Sequence, residues 1–134
     1  MKRKTLALGL VAALTALPAA AHHSFDMFFD RAKSVGLTGT VTEFTFGNPH
    51  VYFKLAVAGP DGSAQEWHIE TTNPNTLEPR GWGPDSIKPG QALVIEAWPA
   101  RNGRPYARLR SMTNADRTPV NLWLPDGPSV VNPS

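Results

Sequence analysis

Apolar and polar positions alternate along much of the chain. Between Val35 and Phe46, Val35, Leu37, Gly39 and Val41 share one parity, and Thr38, Thr40, Thr42, Phe44 and Phe46 share the other, the two-residue period of a strand. Gly36 and Gly39 suit a curved strand, and Asn48-Pro49 ends it. A second strand follows, with Val51, Phe53, Leu55 and Val57 facing one way and Tyr52, Lys54 and Ala56 the other. Gly59-Pro60-Asp61-Gly62 then forms a tight turn, with Pro at its second position and Gly where φ must be positive. The return run, Gln65 to Thr71, takes its register from that turn. Closing Gly59 opposite Ser63 pairs Phe53 with Ile69 and Leu55 with Trp67 on the buried side, and Tyr52 with Glu70 and Lys54 with His68 on the other.

Asn73-Pro74-Asn75-Thr76-Leu77 carries a helix start, with Asn73 as N-cap and Pro74 at the first helical position, and the helix stops before Gly81. Leu93, Ile95 and Ala97 alternate with Val94, Glu96 and Trp98 in a fourth strand, and residues 105–112 return as a fifth. A three-residue loop with Gly103 in the left-handed position sets Glu96 across from Arg108 and Ile95 across from Leu109. A short last strand is predicted over residues 120–124, after which Pro125, Gly127, Pro128 and Pro133 mark a disordered tail. Three strands, a short helix and two strands is the order of elements in an OB-like, five-stranded Greek-key barrel with its helix between strands 3 and 4. The predicted class is therefore all-β, with a small β-sandwich as the alternative. Phe53, Trp67 and Trp82 are the expected aromatic core, and Phe25, Phe28 and Phe29 are expected to dock an N-terminal arm on the barrel.

The first 21 residues follow another rule. Lys2, Arg3 and Lys4 precede an apolar run from Leu6 to Leu17 and then Pro18-Ala19-Ala20-Ala21, the pattern of a cleavable secretory signal peptide, too short to span a bilayer. The chain divides accordingly into signal (1–21), arm (22–34), barrel domain (35–124) and tail (125–134), with no membrane span after signal removal and a periplasmic or secreted destination. Cleavage after Ala21 makes His22 the first residue of the mature chain; cleavage one residue earlier leaves Ala21-His22-His23.

Removing 21 of 134 residues leaves 113, and three of the 13 Lys and Arg leave with them, so ten face 11 Asp and Glu for a mature net charge of about −1. The basic balance of the precursor belongs to its signal, which argues against nucleic acid as a partner. The absence of cysteine excludes disulfides, thiolate nucleophiles and zinc–thiolate sites. No GxSxG, phosphate-binding loop or HExxH helix is present, and nothing in the spacing of Glu43, Glu66, Glu70 and Asp85 joins any two at one site. An enzyme is the minority reading.

Two clusters of candidate chemistry remain. A free α-amine beside the imidazoles of His22 and His23 offers nitrogen donors suited to Cu(II), Ni(II) or Zn(II). His50 shares the outer face of the first hairpin with Tyr52, His68 and Glu70, and Glu70 lies diagonally next to it, so His50 and Glu70 rank ahead of His68 as further members of a metal site. The plain alternative is a frayed polar terminus and a histidine that caps its strand. The second cluster, Arg101, Arg104, Tyr106, Arg108 and Arg110 beside Trp98, resembles the basic and aromatic surface by which OB-folds grip single strands or sugars and could hold an anion or an envelope component; its plain alternative is a solvated edge with Arg108 paired to Glu96.

His22-His23-Ser24-Phe25, Asn48-Pro49-His50, Trp67 with Glu70, Pro74-Asn75 with Leu77, Arg80-Gly81-Trp82 and Lys88-Pro89-Gly90 together resemble the domain of unknown function 6152 family, in order and to about Met112. The resemblance implies a small exported protein of proteobacterial type and supplies no activity. Its matching positions include His22, His23, His50 and Glu70, whereas His68 departs from the small or apolar residue of the family pattern. The leading expectation is a non-enzymatic protein binding copper, with His22 giving its amine and imidazole, His23 or His50 completing the nitrogen set, and Glu70 as outer or axial partner. The alternative is a binding module for an envelope component or polyanion using Arg104, Tyr106, Arg108 and Arg110. A third reading is an enzyme whose bound metal keeps an open position.

Overall fold

The computed structural model describes residues 24–127. Five strands, β1 (Val35–Thr45), β2 (Tyr52–Ala58), β3 (Ala64–Glu70), β4 (Ala92–Pro99) and β5 (Tyr106–Asn114), close into a barrel in the order β1-β2-β3-β5-β4. The β3–β5 pairing is parallel and the others are antiparallel. A single turn of helix, α1 (Pro74–Leu77), continues as a 3-10 turn, Glu78–Arg80, between β3 and β4. This is the OB-like Greek-key arrangement that the order of elements predicts. Among the described residues no helix is long and apolar enough to cross a membrane.

The core follows the alternation. Leu37, Val41, Phe53, Leu55, Ile69, Leu93, Ile95 and Leu109 point into the barrel, and Leu77, Trp82 and Ile87 from the helical connection join them. Each such side chain contributes about 1.5–3 kcal/mol of burial. Trp67 is only half-buried, although it packs against this core. Asn73 caps α1 as predicted, its Oδ1 accepting from the Thr76 amide at 3.0 Å, and Gly81 ends the 3-10 turn at φ 87°. At Gly39 a side chain is excluded, because a Cβ there would run into the Ala56 carbonyl.

Two bulges alter the sequence-based picture. In β1 the register shifts between Val41 and Glu43, which leaves Thr42 unpaired and turns Phe44 and Phe46, predicted on the outward parity, against the core. In β5, Ala97 pairs with Leu109 but Glu96 pairs with Ser111, so Arg110 is the extra residue. The β4–β5 turn is also longer than expected: the Ala100 amide donates to the Tyr106 carbonyl, leaving 101–105 as the loop, with Gly103 in the left-handed conformation. Arg108 therefore sits opposite Trp98 and not Glu96, and Leu109 opposite Ala97 and not Ile95.

Residues 24–28 are helical, and the arm is tied to the β4–β5 turn by Arg101 N to Phe28 O at 2.9 Å and Asp30 N to Pro99 O at 3.0 Å. Phe25 and Phe29 dock as expected, but Phe28 and Met27 are 61% and 73% exposed. No strand forms over 120–124. That segment is irregular, with Leu124 buried and the Trp123 carbonyl accepting from the Trp82 indole at 2.7 Å. Pro125 to Gly127, assigned to the tail by composition, continue onto the barrel, where Asp126 meets Arg108.

Candidate functional site

The backbone around residues 50–52 aligns one end of the first hairpin. A cis Asn48–Pro49 bond precedes it, the Val51 amide donates to Thr72 O at 2.8 Å, and the Thr71 amide donates to Val51 O at 2.9 Å. These bonds extend the β2–β3 ladder by one step and place His50 diagonally next to Glu70, the last residue of β3. On the other side of Glu70 the parallel pairing brings Arg108. The sequence puts Glu70 at the end of its strand, and the barrel puts it between the loop before β2, which brings His50, and β5, which brings Tyr106 and Arg108.

Those donors converge on one carboxylate. His50 Nδ1 lies 2.8 Å from Glu70 Oε1, Arg108 Nη1 lies 3.6 Å from the same oxygen, and the Tyr106 hydroxyl donates to Oε2. Arg108 also donates to the Thr71 carbonyl and, through Nε, to Asp126 Oδ2 at 3.2 Å. The Glu70 and Arg108 side chains are each 12% exposed, whereas that of His50 is 47% exposed. Burial raises the Glu70 pKa, and the charges of His50 and Arg108 work against that rise.

This network lines an open cleft of about 620 Å³. Its other wall is the arm, with Ser24, Phe25, Phe28 and Phe29, and Asn73 lies at its edge. An aromatic row crosses the same face: Tyr52 stacks on His68 at 4.2 Å, His68 meets Tyr106 at 4.8 Å, and Tyr106 stacks on Phe29 at 5.4 Å. His68 is thus a filler between two tyrosines; burial and the charge of Lys54 lower its pKa.

Of the metal candidates, His50 and Glu70 are brought together, and His22 and His23 lie outside the described residues. Among the described residues no three of His, Asp and Glu form a group able to hold a metal ion. The arginine hairpin does not form one patch. Arg108 is turned to Glu70 and Asp126, Arg110 lies 5.1 Å over Trp98, Tyr106 is bonded to Glu70, and Arg104 alone of the four candidates is exposed. Two carboxylates that spacing left apart, Glu43 and Glu66, do meet, through Lys54 Nζ at 2.8 and 3.8 Å. The register Glu43↔Lys54 depends on the β1 bulge, and the chain offers no turn from which to infer it.

Among solved structures, the mitochondrial single-stranded DNA binding protein Rim1 of S. cerevisiae is similar, at 12% identity over 62% of this chain and 94% of that chain, with a TM-score of 0.44. No curated protein matches the chain. The family of unknown function DUF6152 matches residues 10–108, and the chain belongs to that family.

Proposed function

We propose that this protein is an exported, non-enzymatic metal-binding protein, with copper as its metal. The observation that carries the reading is the position of Ser24. It lines the same cleft as His50 and Glu70, and it is bonded directly to His23. Successive Cα atoms lie about 3.8 Å apart, and the sequence puts His23 one residue and His22 two residues before Ser24. Signal removal after Ala21 gives His22 a free amine, and the amine and imidazoles of His22 and His23 with the imidazole of His50 make a nitrogen set suited to Cu(II). His50 and Glu70 alone are too few donors, which makes binding dependent on the mature terminus. The polyanion reading is less well supported, since Arg108 already meets two carboxylates.

The test is a Cu(II) titration of protein whose natural terminus has been verified by mass spectrometry, beside the same protein with one added N-terminal Gly. Tight one-to-one binding that the added residue abolishes is the expected result. Equal binding by both, or binding by neither, would overturn a terminal copper site.

A further inference from the structure

We infer that the outer side of the N-terminal arm and the β4–β5 turn together form a docking surface for an anionic phospholipid bilayer, independent of any metal. Met27 and Phe28 are the exposed large hydrophobic residues among those described, at 73% and 61%. They are neighbours in the helical stretch 24–28. Their exposure follows from what anchors that stretch. Phe25 and Phe29, four residues apart, take the side turned to the barrel, where Phe25 meets Trp98 edge-on at 5.5 Å and Phe29 stacks on Tyr106. Met27 and Phe28 fall outside those contacts. The β4–β5 turn fixes them there, since Arg101 donates from Nε to Asp26 O at 2.7 Å and from its amide to Phe28 O at 2.9 Å.

The charge around this apolar pair has an excess of one sign. Arg31, Lys33, Arg101 and Arg104 are all exposed, and the carboxylates beside them are Asp26 and Asp30. Asp26 pairs with Arg31, and Asp30 is shared between Lys33 and Arg101, while Arg104 has no ion pair among the described residues. Four cations against two carboxylates leave a surplus of two positive charges. The rest of residues 22–134 has the opposite balance: ten Lys and Arg less these four leave six, and 11 Asp and Glu less these two leave nine. A basic surface on an otherwise acidic body turns the molecule toward an anionic partner. A soluble polyanion would engage the cations and leave Met27 and Phe28 in water. At an anionic bilayer, headgroup phosphates meet the cations while the two apolar side chains enter the boundary between headgroups and acyl chains. So small an apolar anchor makes the contact peripheral and reversible.

Flotation of the natural-terminus protein with lipid vesicles tests this surface. Binding is expected to vesicles containing phosphatidylglycerol, to weaken in high salt, and to be absent from vesicles of phosphatidylcholine alone. Phe28→Ser should weaken it about tenfold, and Arg104→Ala about fivefold. Lys88→Ala, which removes an exposed cation beyond the opposite end of β4 from the turn, should change nothing. All three positions are exposed, so each variant should keep the urea midpoint of the parent. Equal binding to both kinds of vesicle, a loss in Arg104→Ala with none in Phe28→Ser, or a loss in Lys88→Ala as large as in Arg104→Ala would overturn the bilayer as partner. Absence of vesicle binding would overturn it too, and a dimer in sedimentation that Phe28→Ser abolishes would then assign the apolar pair to a second copy of the chain.

Discussion

The β2–β3 hairpin keeps a single register from Ala58↔Ala64 to Tyr52↔Glu70, whereas the β4–β5 hairpin shifts between Glu96 and Ala97. The first turns through four residues whose chemistry dictates their conformation. The Gly59 amide donates to Ser63 O at 2.6 Å, Asp61 Oδ1 accepts from Ser63 N at 3.0 Å, and Gly62 takes φ 82°. The second has Gly103 in the left-handed conformation and Asn102, whose Oδ1 accepts from Arg104 N at 3.1 Å, but these sit within a longer, five-residue loop, and the hairpin absorbs Arg110 as an extra residue. Where a turn specifies its own geometry the register follows from the sequence; where it does not, the core decides. The cleft is built where these two hairpins meet, so its histidine–carboxylate pair follows the first rule and its arginine the second.

The largest effect that separates the two registers concerns Arg108. Arg108→Ala leaves two carboxylates and a carbonyl short of a donor and is expected to cost about 3 kcal/mol. Glu96→Ala, at an exposed position facing Ser111, is expected to stay within about 0.5 kcal/mol. Urea denaturation of the two variants measures both. Similar losses would restore the register in which Glu96 and Arg108 are paired.

The bulge itself predicts an asymmetry between neighbours. Met112 is buried and Ser111 is not, so Met112→Ala should cost about 2 kcal/mol and Ser111→Ala almost nothing. A regular strand running on from Leu109 would place Ser111 inward and reverse that order.

The smallest effect is at His68, where the two hairpins touch through stacked rings. Burial lowers its pKa most, with Lys54 adding to the shift and Glu43 and Glu66 opposing it. The folded chain thus favours the neutral ring, and the unfolded chain takes up the proton more readily. The contribution is complete above the ordinary imidazole range and is lost as pH falls through it toward the depressed folded value. His68→Phe should flatten the stability–pH curve over that interval. An unchanged slope would contradict the stacked, neutral ring.

Much of the barrel was legible because local chemistry and hydrophobic period agree: Asn73 with Pro74 at the helix start, Gly59 to Gly62 at the turn, and the inward set Phe53, Leu55 and Ile69. The bulges had a fainter signal. Leu109 and Met112 are three residues apart, as are Val41 and Phe44, and each interval breaks strict alternation. Of the site, the His50–Glu70 diagonal was readable from the hairpin alone. Tyr106 and Arg108 were singled out for another purpose, because their approach to Glu70 needs the parallel β3–β5 pairing, which no turn encodes. Asp126 was hidden by its Pro- and Gly-rich surroundings, which read as tail.

The most direct test of a single site made by the mature terminus and the cleft is electron paramagnetic resonance of Cu(II) bound to natural-terminus protein, compared with its His50→Ala variant. A shared site predicts that removing the His50 imidazole takes one nitrogen from the copper's coupling pattern and weakens binding. Identical spectra and affinities would contradict it, leaving any copper at the terminus unconnected with the barrel.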